Sequence, residues 1–255
     1  MTFLGTGTSQ GVPIIGCDCP VCRSGDLRNH RLRTSACIQV GGKTIVIDCG
    51  PDFRQQMLRN DIRQVDAILL THEHNDHIIG LDDVRPFNFQ SKRDMNLYAT
   101  ERVAAEVQQR FAYAFSAVRY PGAPALQFVT IDKDHPFEVE GIPVQPIEVM
   151  HGTLPVLGFR FGDFTYLTDI KTISAAEIEK VRGTKVLALG VLHHTPHYSH
   201  LCVDEAIALI DVIKPEQTYF IHVSHHMGLY DEVSAQLPEG IALAYDGLKV
   251  AVSSA

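Results

Sequence analysis

The densest group of potential metal ligands in the sequence is T-H-E-H-N-D-H at residues 71–77. It directly follows an apolar run that predicts a buried strand, and ligand sites of α/β sheets lie at such strand ends. His72 and His74 are two residues apart, so both imidazoles point to the same side of an extended segment. The chain then turns, and Asp76 and His77 can face a second ion. Because imidazole with carboxylate suits Zn, Mn or Fe better than Ca or Mg, we predict a transition-metal site rather than a solvated polar turn.

A second group of potential ligands is the C-x-C-x-x-C sequence of Cys17, Cys19 and Cys22, in a loop rich in Gly and Pro. Three thiolates at this spacing can share one Zn²⁺, which takes four ligands in a tetrahedron. The alternative, three buried thiols without a metal, is disfavoured because such a loop offers no core to bury them. The fourth ligand must come from elsewhere. His225 is the best candidate, and His226 remains the alternative.

Short strands mixed with a few helices must position these groups. Runs rich in β-branched or aromatic residues predict strands at 34–40, 43–48, 67–71, 144–149, 158–161, 164–168, 185–189 and 218–222. Periodicity and capping signals predict helices at 52–59, 101–115, 174–181, 203–213 and 229–237. Pro146 makes the fourth strand an edge strand at best, and Ser174 with Glu177 predicts a capping box. The expected fold is an α/β (αββα) sandwich, with two mixed sheets inside and helices outside.

Length and charge exclude several classes of protein. The 255 residues include 22 basic and 30 acidic side chains, a net charge of −8, which disfavours binding along an extended nucleic acid. No apolar run reaches the roughly 20 residues that span a membrane. The first residues do not resemble a signal peptide, so a cytoplasmic location without a membrane partner is expected. We predict one domain over residues 1–255, with the Cys-rich zinc loop at about residues 12–33. We predict that the three remaining thiols are small buried apolar groups: Cys37, Cys49 and Cys202.

The H-x-H-x-D-H pattern resembles the signature of the metallo-β-lactamase superfamily. Other residues match that family in the expected order, each at or just past the end of a predicted strand: Asp48, His151, Asp169 and His222. The resemblance covers essentially the whole chain and implies the metallo-β-lactamase fold with a binuclear metal centre.

The same resemblance implies how the ligands divide between two ions. The first set is His72, His74, His151 and Asp169. The second set is Asp76, His77, Asp169 and His222. Asp169 looks like the carboxylate that bridges both ions, and Asp48 looks like the structural aspartate that supports the metal loop. Two such ions, Mn or Zn, can share a hydroxide that attacks phosphorus, with Asp76 orienting it.

The sequence G-T-G-T-S-Q-G-V-P at residues 5–13, followed by C-x-C-x-x-C, narrows the resemblance to PhnP-type phosphodiesterases of phosphonate catabolism. The resemblance implies a structural zinc on Cys17, Cys19, Cys22 and His225. It also implies a small phosphodiester substrate, such as a cyclic, ribosyl or nucleotide phosphate. A homodimer is expected because superfamily relatives are often dimers.

A histidine just before the helix at residue 203 faces the phosphate in PhnP-like enzymes, so we predict that His200 assists the leaving group. His193, His194 and His197 lie close by and are weaker candidates for substrate contact. Arg31 and Arg33 could meet a second anionic group, although a solvated basic face is the favoured explanation for both.

Three other functions compete with the phosphodiesterase. A tRNA 3′-processing endonuclease shares much of the ligand set, but the sequence shows no inserted tRNA-binding arm and the charge is acidic. A thioester hydrolase of the glyoxalase II type leaves the C-x-C-x-x-C loop unexplained. A non-catalytic zinc-binding protein would hold one zinc, whereas the favoured interpretation predicts three ions per chain.

Overall fold

The computed structural model describes residues 1–116, 118 and 120–252. Its first sheet has six strands in sequence order: β1 (Thr2–Gly5), β2 (Ser35–Val40), β3 (Lys43–Ile47), β4 (Ala67–Leu69), β5 (Met95–Ala99) and β6 (Leu126–Thr130). β1, β2 and β3 pair antiparallel, and β3 to β6 pair parallel. The parallel strands therefore end at the same edge of the sheet.

The second sheet has nine strands: β7 (Phe137–Val139), β8 (Ile142–His151), β9 (Leu154–Phe161), β10 (Phe164–Leu167), β11 (Thr172–Ile173), β12 (Val186–His193), β13 (Leu201–Cys202), β14 (Gln217–Ile221) and β15 (Ile241–Leu243). Their order is β11-β8-β9-β10-β12-β14-β15, with β7 paired to β8 and β13 to β12. β10, β12, β14 and β15 run parallel, so the residues that follow β10 and β14 leave the sheet at one edge.

Helices cover the outer faces of both sheets: α1 (Phe53–Arg59), α2 (Asn75–Ile78), α3 (Arg85–Ser91), α4 (Glu101–Arg110), α5 (Ala175–Val181), α6 (Val203–Ile213) and α7 (Tyr230–Ser234). Because side chains alternate along a strand, each sheet has two apolar faces. Ile45 packs between the sheets with Phe159, whereas Val46 faces outward and packs with Phe53 of α1. The predicted αββα sandwich of two mixed sheets is confirmed. Among the described residues, no helix is long and apolar enough to cross a membrane.

The region around Pro146 differs from its prediction. β8 spans ten residues and pairs with β9 from Gln145 to His151. It also pairs with β7 over Ile142–Val144 and with β11 at Val149 and Met150. Pro146 lies between the segments of β8 that pair with β7 and with β11. No neighbouring strand there requires a backbone N–H donor, which proline lacks. Two residues later in β8, between the same two pairing strands, the N–H of Glu148 donates to the Glu177 carboxylate at 2.8 Å. The predicted capping box is therefore half formed, because Ser174 accepts from the Glu177 N–H while the Glu177 carboxylate binds β8 instead.

Several elements escaped the sequence analysis. β1, β5 and β6 were not predicted, and neither were the short strands β7, β11, β13 and β15. The predicted helix 101–115 ends at Arg110, and the helix predicted at 229–237 is the short α7. The missed strands have two to five residues, so each carries little periodicity by itself.

Candidate metal centre

The predicted ligands all follow strand ends at one edge of the two sheets. The segment 71–77 starts two residues after β4, and its second half forms α2. Asp48 directly follows β3, and His151 is the last residue of β8. Asp169 comes two residues after β10, and His222 directly follows β14. Parallel strand ends meet at the same edge, so these distant segments converge there.

Three of these residues have an unusual backbone. Asp48, Asp169 and His222 adopt positive φ angles of 63°, 48° and 56°. This left-handed conformation costs a non-glycine residue about 1 kcal/mol or more, and it clusters at functional sites. Here it turns the chain sharply at each strand end.

His72, His74 and His151 gather on one side of the centre. His72 Nε2 lies 2.9 Å from His74 Nδ1. The Thr71 hydroxyl donates its proton to Asp48 and therefore accepts a hydrogen bond from His72 Nδ1. Because Nδ1 carries the proton of the neutral ring, His72 Nε2 is unprotonated and has a free lone pair. His151 Nδ1 donates to the Ser199 carbonyl at 2.8 Å, so its Nε2 also carries a lone pair and lies 4.0 Å from Asp169 Oδ1.

Asp76, His77 and His222 gather on the other side. His77 Nε2 lies 3.3 Å from Asp76 Oδ2 and 3.2 Å from Asp169 Oδ2. His222 Nε2 lies 3.2 Å from Asp169 Oδ1 and 3.8 Å from Asp76 Oδ2. Ligand atoms that share one tetrahedral zinc are about 3.3 Å apart. Because Asp169 Oδ1 also lies 4.0 Å from His151 Nε2 of the first set, the Asp169 carboxylate contacts both sets and has the position of a bridging ligand.

Orphaned nitrogens support two divalent ions at this centre. His77 Nε2 and both ring nitrogens of His222 are buried without a hydrogen-bond partner, although carboxylate oxygens lie close to both rings. A buried polar atom left unpaired costs roughly 1–3 kcal/mol. One bound ion would satisfy both Nε2 atoms. The Nε2 lone pairs of His72 and His151 offer ligands for another, so the residues present fit two transition-metal ions.

Charge compensation lowers the pKa of Asp76 and Asp169 and keeps both carboxylates ionised. Burial raises the pKa of Asp169, but the imidazoles of His222 and His77 outweigh it and hold that pKa well below its usual range. Burial lowers the pKa of His77, but Asp76, Asp48 and Asp169 outweigh it and hold that pKa well above its ordinary value. The centre therefore presents anionic oxygens ready to bind cations.

Asp48 supports the ligands from behind. Its fully buried carboxylate accepts from the Thr71 N–H and hydroxyl, both at 2.9 Å, and from His77 Nδ1 at 2.6 Å. A carboxylate on the far nitrogen of a ligating histidine fixes its tautomer and raises its basicity. Asp48 therefore acts on both halves of the centre, through His77 directly and through Thr71 on His72.

Sequence reasoning missed Thr71 and Arg102. The Arg102 guanidinium pairs with Glu73 in the metal loop and donates to the Pro155 carbonyl on β9 at 2.6 Å. This contact ties the loop of the first sheet to the second sheet. The supporting role of Thr71 could have been predicted because Thr71 directly precedes the ligand His72. No local pattern in the sequence indicated that Arg102 pairs with Glu73.

His200 lies at the edge of the centre, with Nδ1 3.9 Å from Asp169 Oδ1 and its ring stacked on His222. Burial and the neighbouring His222 lower the pKa of His200 to about 3, so the ring is neutral at neutral pH. Burial and nearby imidazoles also lower the pKa of His193 and His197.

The C-x-C-x-x-C loop meets His225. His225 Nδ1 lies 3.4 Å from the sulfurs of Cys17 and Cys19 and 3.6 Å from that of Cys22. A nitrogen and a sulfur that share one tetrahedral zinc are about 3.5 Å apart. The four side chains therefore fit a structural zinc. His226 lies outside this group of four, which favours His225 over its neighbour.

The two arginines do not form a solvated basic face. Arg31 is buried and donates to the Thr6 hydroxyl and the Ala244 carbonyl. Arg33 pairs with Asp52 at 3.1 Å. Both guanidinium groups therefore have protein partners, and neither is held ready for a substrate anion.

Comparison with known proteins agrees with this geometry. A family model described as a β-lactamase superfamily domain matches residues 43–223. A solved structure described as a new diphosphatase from the PhnP family is 41% identical, with a TM-score of 0.92, covering 99% of this chain and 97% of that one. The chain belongs to the metallo-β-lactamase superfamily. Its resemblance to the PhnP family, predicted from the N-terminal and Cys-rich motifs, is confirmed.

Two curated relatives carry other names. An octanoyltransferase of Porphyromonas gingivalis is 43% identical over 252 residues, which are 98% of this chain and 51% of that protein. A ribonuclease Z of Bradyrhizobium diazoefficiens is 29% identical over 167 residues, 63% of this chain and 49% of that protein. The chain spans about half the length of these two relatives.

Proposed function

We propose that the chain is a binuclear metal-dependent hydrolase of small phosphodiesters, resembling the PhnP-type enzymes. The observation that carries the proposal is the position of Asp169 between the two ligand sets. Its Oδ1 lies 4.0 Å from His151 Nε2 of the first set and 3.2 Å from His222 Nε2 of the second, and its Oδ2 lies 3.2 Å from His77 Nε2. The likeness to a diphosphatase of the PhnP family supports a reaction at phosphorus. The seven proposed ligands of the centre are His72, His74, Asp76, His77, His151, Asp169 and His222.

Two divalent ions, Mn or Zn, would lower the pKa of water and neutralise the charge of a phosphate. The chain's own residues supply positioning. Asp76 can accept a hydrogen bond from the attacking water and so orient it toward phosphorus. Asp48, through His77 and Thr71, keeps the imidazoles from rotating.

His200 is proposed to stabilise the departing oxygen. Because its ring is neutral at neutral pH, it acts as an N–H hydrogen-bond donor and not as an imidazolium acid. Such a donor matters most when the departing oxygen is a basic alkoxide, and least when it is a stable phenolate.

Replacing His200→Ala is therefore expected to lower kcat/KM about 100-fold for a 2′,3′-cyclic nucleotide, but no more than about tenfold for bis(p-nitrophenyl) phosphate. Steady-state kinetics with both substrates measure the difference. His135→Ala, which removes an exposed histidine, serves as the control. Equal losses with the two substrates would contradict a role at the leaving group.

The reaction class is tested with bis(p-nitrophenyl) phosphate and Mn²⁺. We expect turnover by the protein and a loss of at least about 100-fold in Asp76→Ala, because the variant loses a ligand and the group that orients water. Turnover no higher than that of Asp76→Ala would refute the proposal.

The main alternative is a tRNA 3′-processing nuclease, which the match to a ribonuclease Z favours. The net charge of −8 argues against it, since nucleic acid binding depends on basic surfaces. A gel-shift with tRNA separates the two: micromolar binding at physiological salt supports the nuclease, and its absence supports a small substrate. A non-catalytic zinc protein would hold one ion, whereas our proposal requires three.

A further inference from the structure

His222 differs from other proposed histidine ligands in how its ring is held. Nδ1 of His77 bonds to Asp48, and Nδ1 of His151 donates to the Ser199 carbonyl. Within the part of the chain that the structure describes, neither ring nitrogen of His222 has a hydrogen-bond partner. A ligating histidine ordinarily bonds through its second nitrogen, and this bond fixes the ring. The orientation of His222 therefore depends on the backbone on either side of it.

Backbone hydrogen bonds hold the chain on both sides of His222. After it, the Val223 N–H donates to the Thr6 carbonyl at 2.9 Å. Before it, the Phe220 carbonyl accepts from the Ala244 N–H at 3.0 Å. His222 itself has a φ of 56°, a left-handed conformation that a non-glycine residue keeps only where its surroundings hold it. The positions of Thr6 and Ala244 therefore affect the direction of the His222 ring.

The side chain of Arg31 contacts both of these supporting residues. Its Nη1 donates to the Thr6 hydroxyl at 2.8 Å and to the Ala244 carbonyl. The Thr6 hydroxyl donates in turn to Asp246 Oδ1 at 2.9 Å, and Asp246 Oδ2 accepts from the Leu32 N–H at 2.7 Å. Arg31 and Thr6 are both buried. Because a buried charge is costly to leave unpaired, these hydrogen bonds resist any shift of Thr6 relative to Ala244.

We propose that Arg31, Thr6 and Asp246 position His222 and thereby set how tightly the second ligand set binds its metal ion. They are positioning residues, which act on the ligand through the backbone that flanks it. This inference rests on the proposed function, because it assumes an ion at the second ligand set. Weakening the network should lower the affinity for that ion without changing the chemistry of the fully loaded centre.

The test is Thr6→Val, which removes the hydroxyl that joins Arg31 to Asp246 and keeps a side chain of similar size. Mn²⁺ is added to protein whose binuclear centre has been emptied with a chelator, and free Mn²⁺ is measured by its electron paramagnetic resonance signal. We expect the dissociation constant of one Mn²⁺ ion to rise about tenfold, as for other groups that orient a ligand from behind. At saturating Mn²⁺, kcat for bis(p-nitrophenyl) phosphate should approach that of the unmodified protein.

Two further variants control this test. Thr6→Ser keeps the hydroxyl and should recover most of the Mn²⁺ affinity. Thr165→Val removes another buried hydroxyl, which pairs with that of Thr184 at 2.6 Å. Thr165 lies near the start of β10, whereas the ligand Asp169 follows the end of that strand. This variant should lower Tm but leave the Mn²⁺ affinity unchanged.

An unchanged Mn²⁺ dissociation constant in Thr6→Val, or an equal rise in Thr165→Val, would overturn the inference and leave the proposed function intact. If the unmodified protein bound no divalent ion beyond the proposed zinc of the Cys-rich loop, the proposed function would fail together with the inference.

Discussion

Replacing Asp169→Asn is expected to lower kcat/KM for bis(p-nitrophenyl) phosphate by about a thousandfold or more. Asp169 Oδ1 lies 4.0 Å from His151 Nε2 of the first ligand set and 3.2 Å from His222 Nε2 of the second, and Oδ2 lies 3.2 Å from His77 Nε2. An amide has no charge and only one acceptor oxygen, so it cannot hold two cations together. Metal analysis should show at least one ion fewer than the three that we propose for the unmodified protein, with the proposed zinc of the Cys-rich loop retained.

Asparagine is the informative replacement because of the backbone. Asp169 has a φ of 48°, and asparagine tolerates this left-handed conformation better than alanine. The matched control is Asp61→Asn, at an exposed aspartate with a φ of 51°, which should retain full activity and three ions. A fully active Asp169→Asn protein with three ions would contradict the bridging role.

Replacing His225→Ala is expected to remove the zinc from the Cys-rich loop and to destabilise the protein. Its Nδ1 lies within 3.6 Å of all three thiols, and a zinc site that closes distant segments contributes directly to folding. We expect the free energy of unfolding to fall by about 3 kcal/mol, which corresponds to a Tm lower by roughly 10 °C. Thermal unfolding and zinc analysis measure both effects.

The effect of His225→Ala on activity should be smaller, about 10- to 100-fold, as for other groups that orient a ligand from behind. His225 is three residues past the proposed ligand His222, but backbone hydrogen bonds between Val223 and the Thr6–Thr8 segment also hold this loop. The matched control is His226→Ala, which should keep its zinc. Loss of zinc from His226→Ala, with zinc retained in His225→Ala, would reverse the assignment.

The predictions for the metal centre depend on how far apart the ligands lie along the chain. The positions of His72, His74, Asp76 and His77 follow from their spacing, because a strand end and one helical turn fix neighbouring side chains relative to one another. His151, Asp169 and His222 could be assigned only by resemblance to a family, since nothing local in the sequence brings β8, β10 and β14 to one edge. Their individual roles as ligands stay predictions that the metal analyses above would test.

The capping box of Ser174 shows the limit of local patterns. Its spacing to Glu177 is correct, but the strand beside Pro146 has an unpaired N–H at Glu148, and this takes the Glu177 carboxylate. A buried donor must find a partner, and that requirement outweighs a helix-end preference.

Residue types and short spacings were enough to predict the chemistry available to the chain: imidazoles and carboxylates after a buried strand, and three thiolates that suit zinc. These depend on residue types and on separations of a few residues. Two outcomes could be read only from the folded chain: His225 and not His226 contacts the thiols, and Arg31 is buried. Those outcomes depend on which atoms of distant segments lie within hydrogen-bonding distance, and folding of the whole chain sets that.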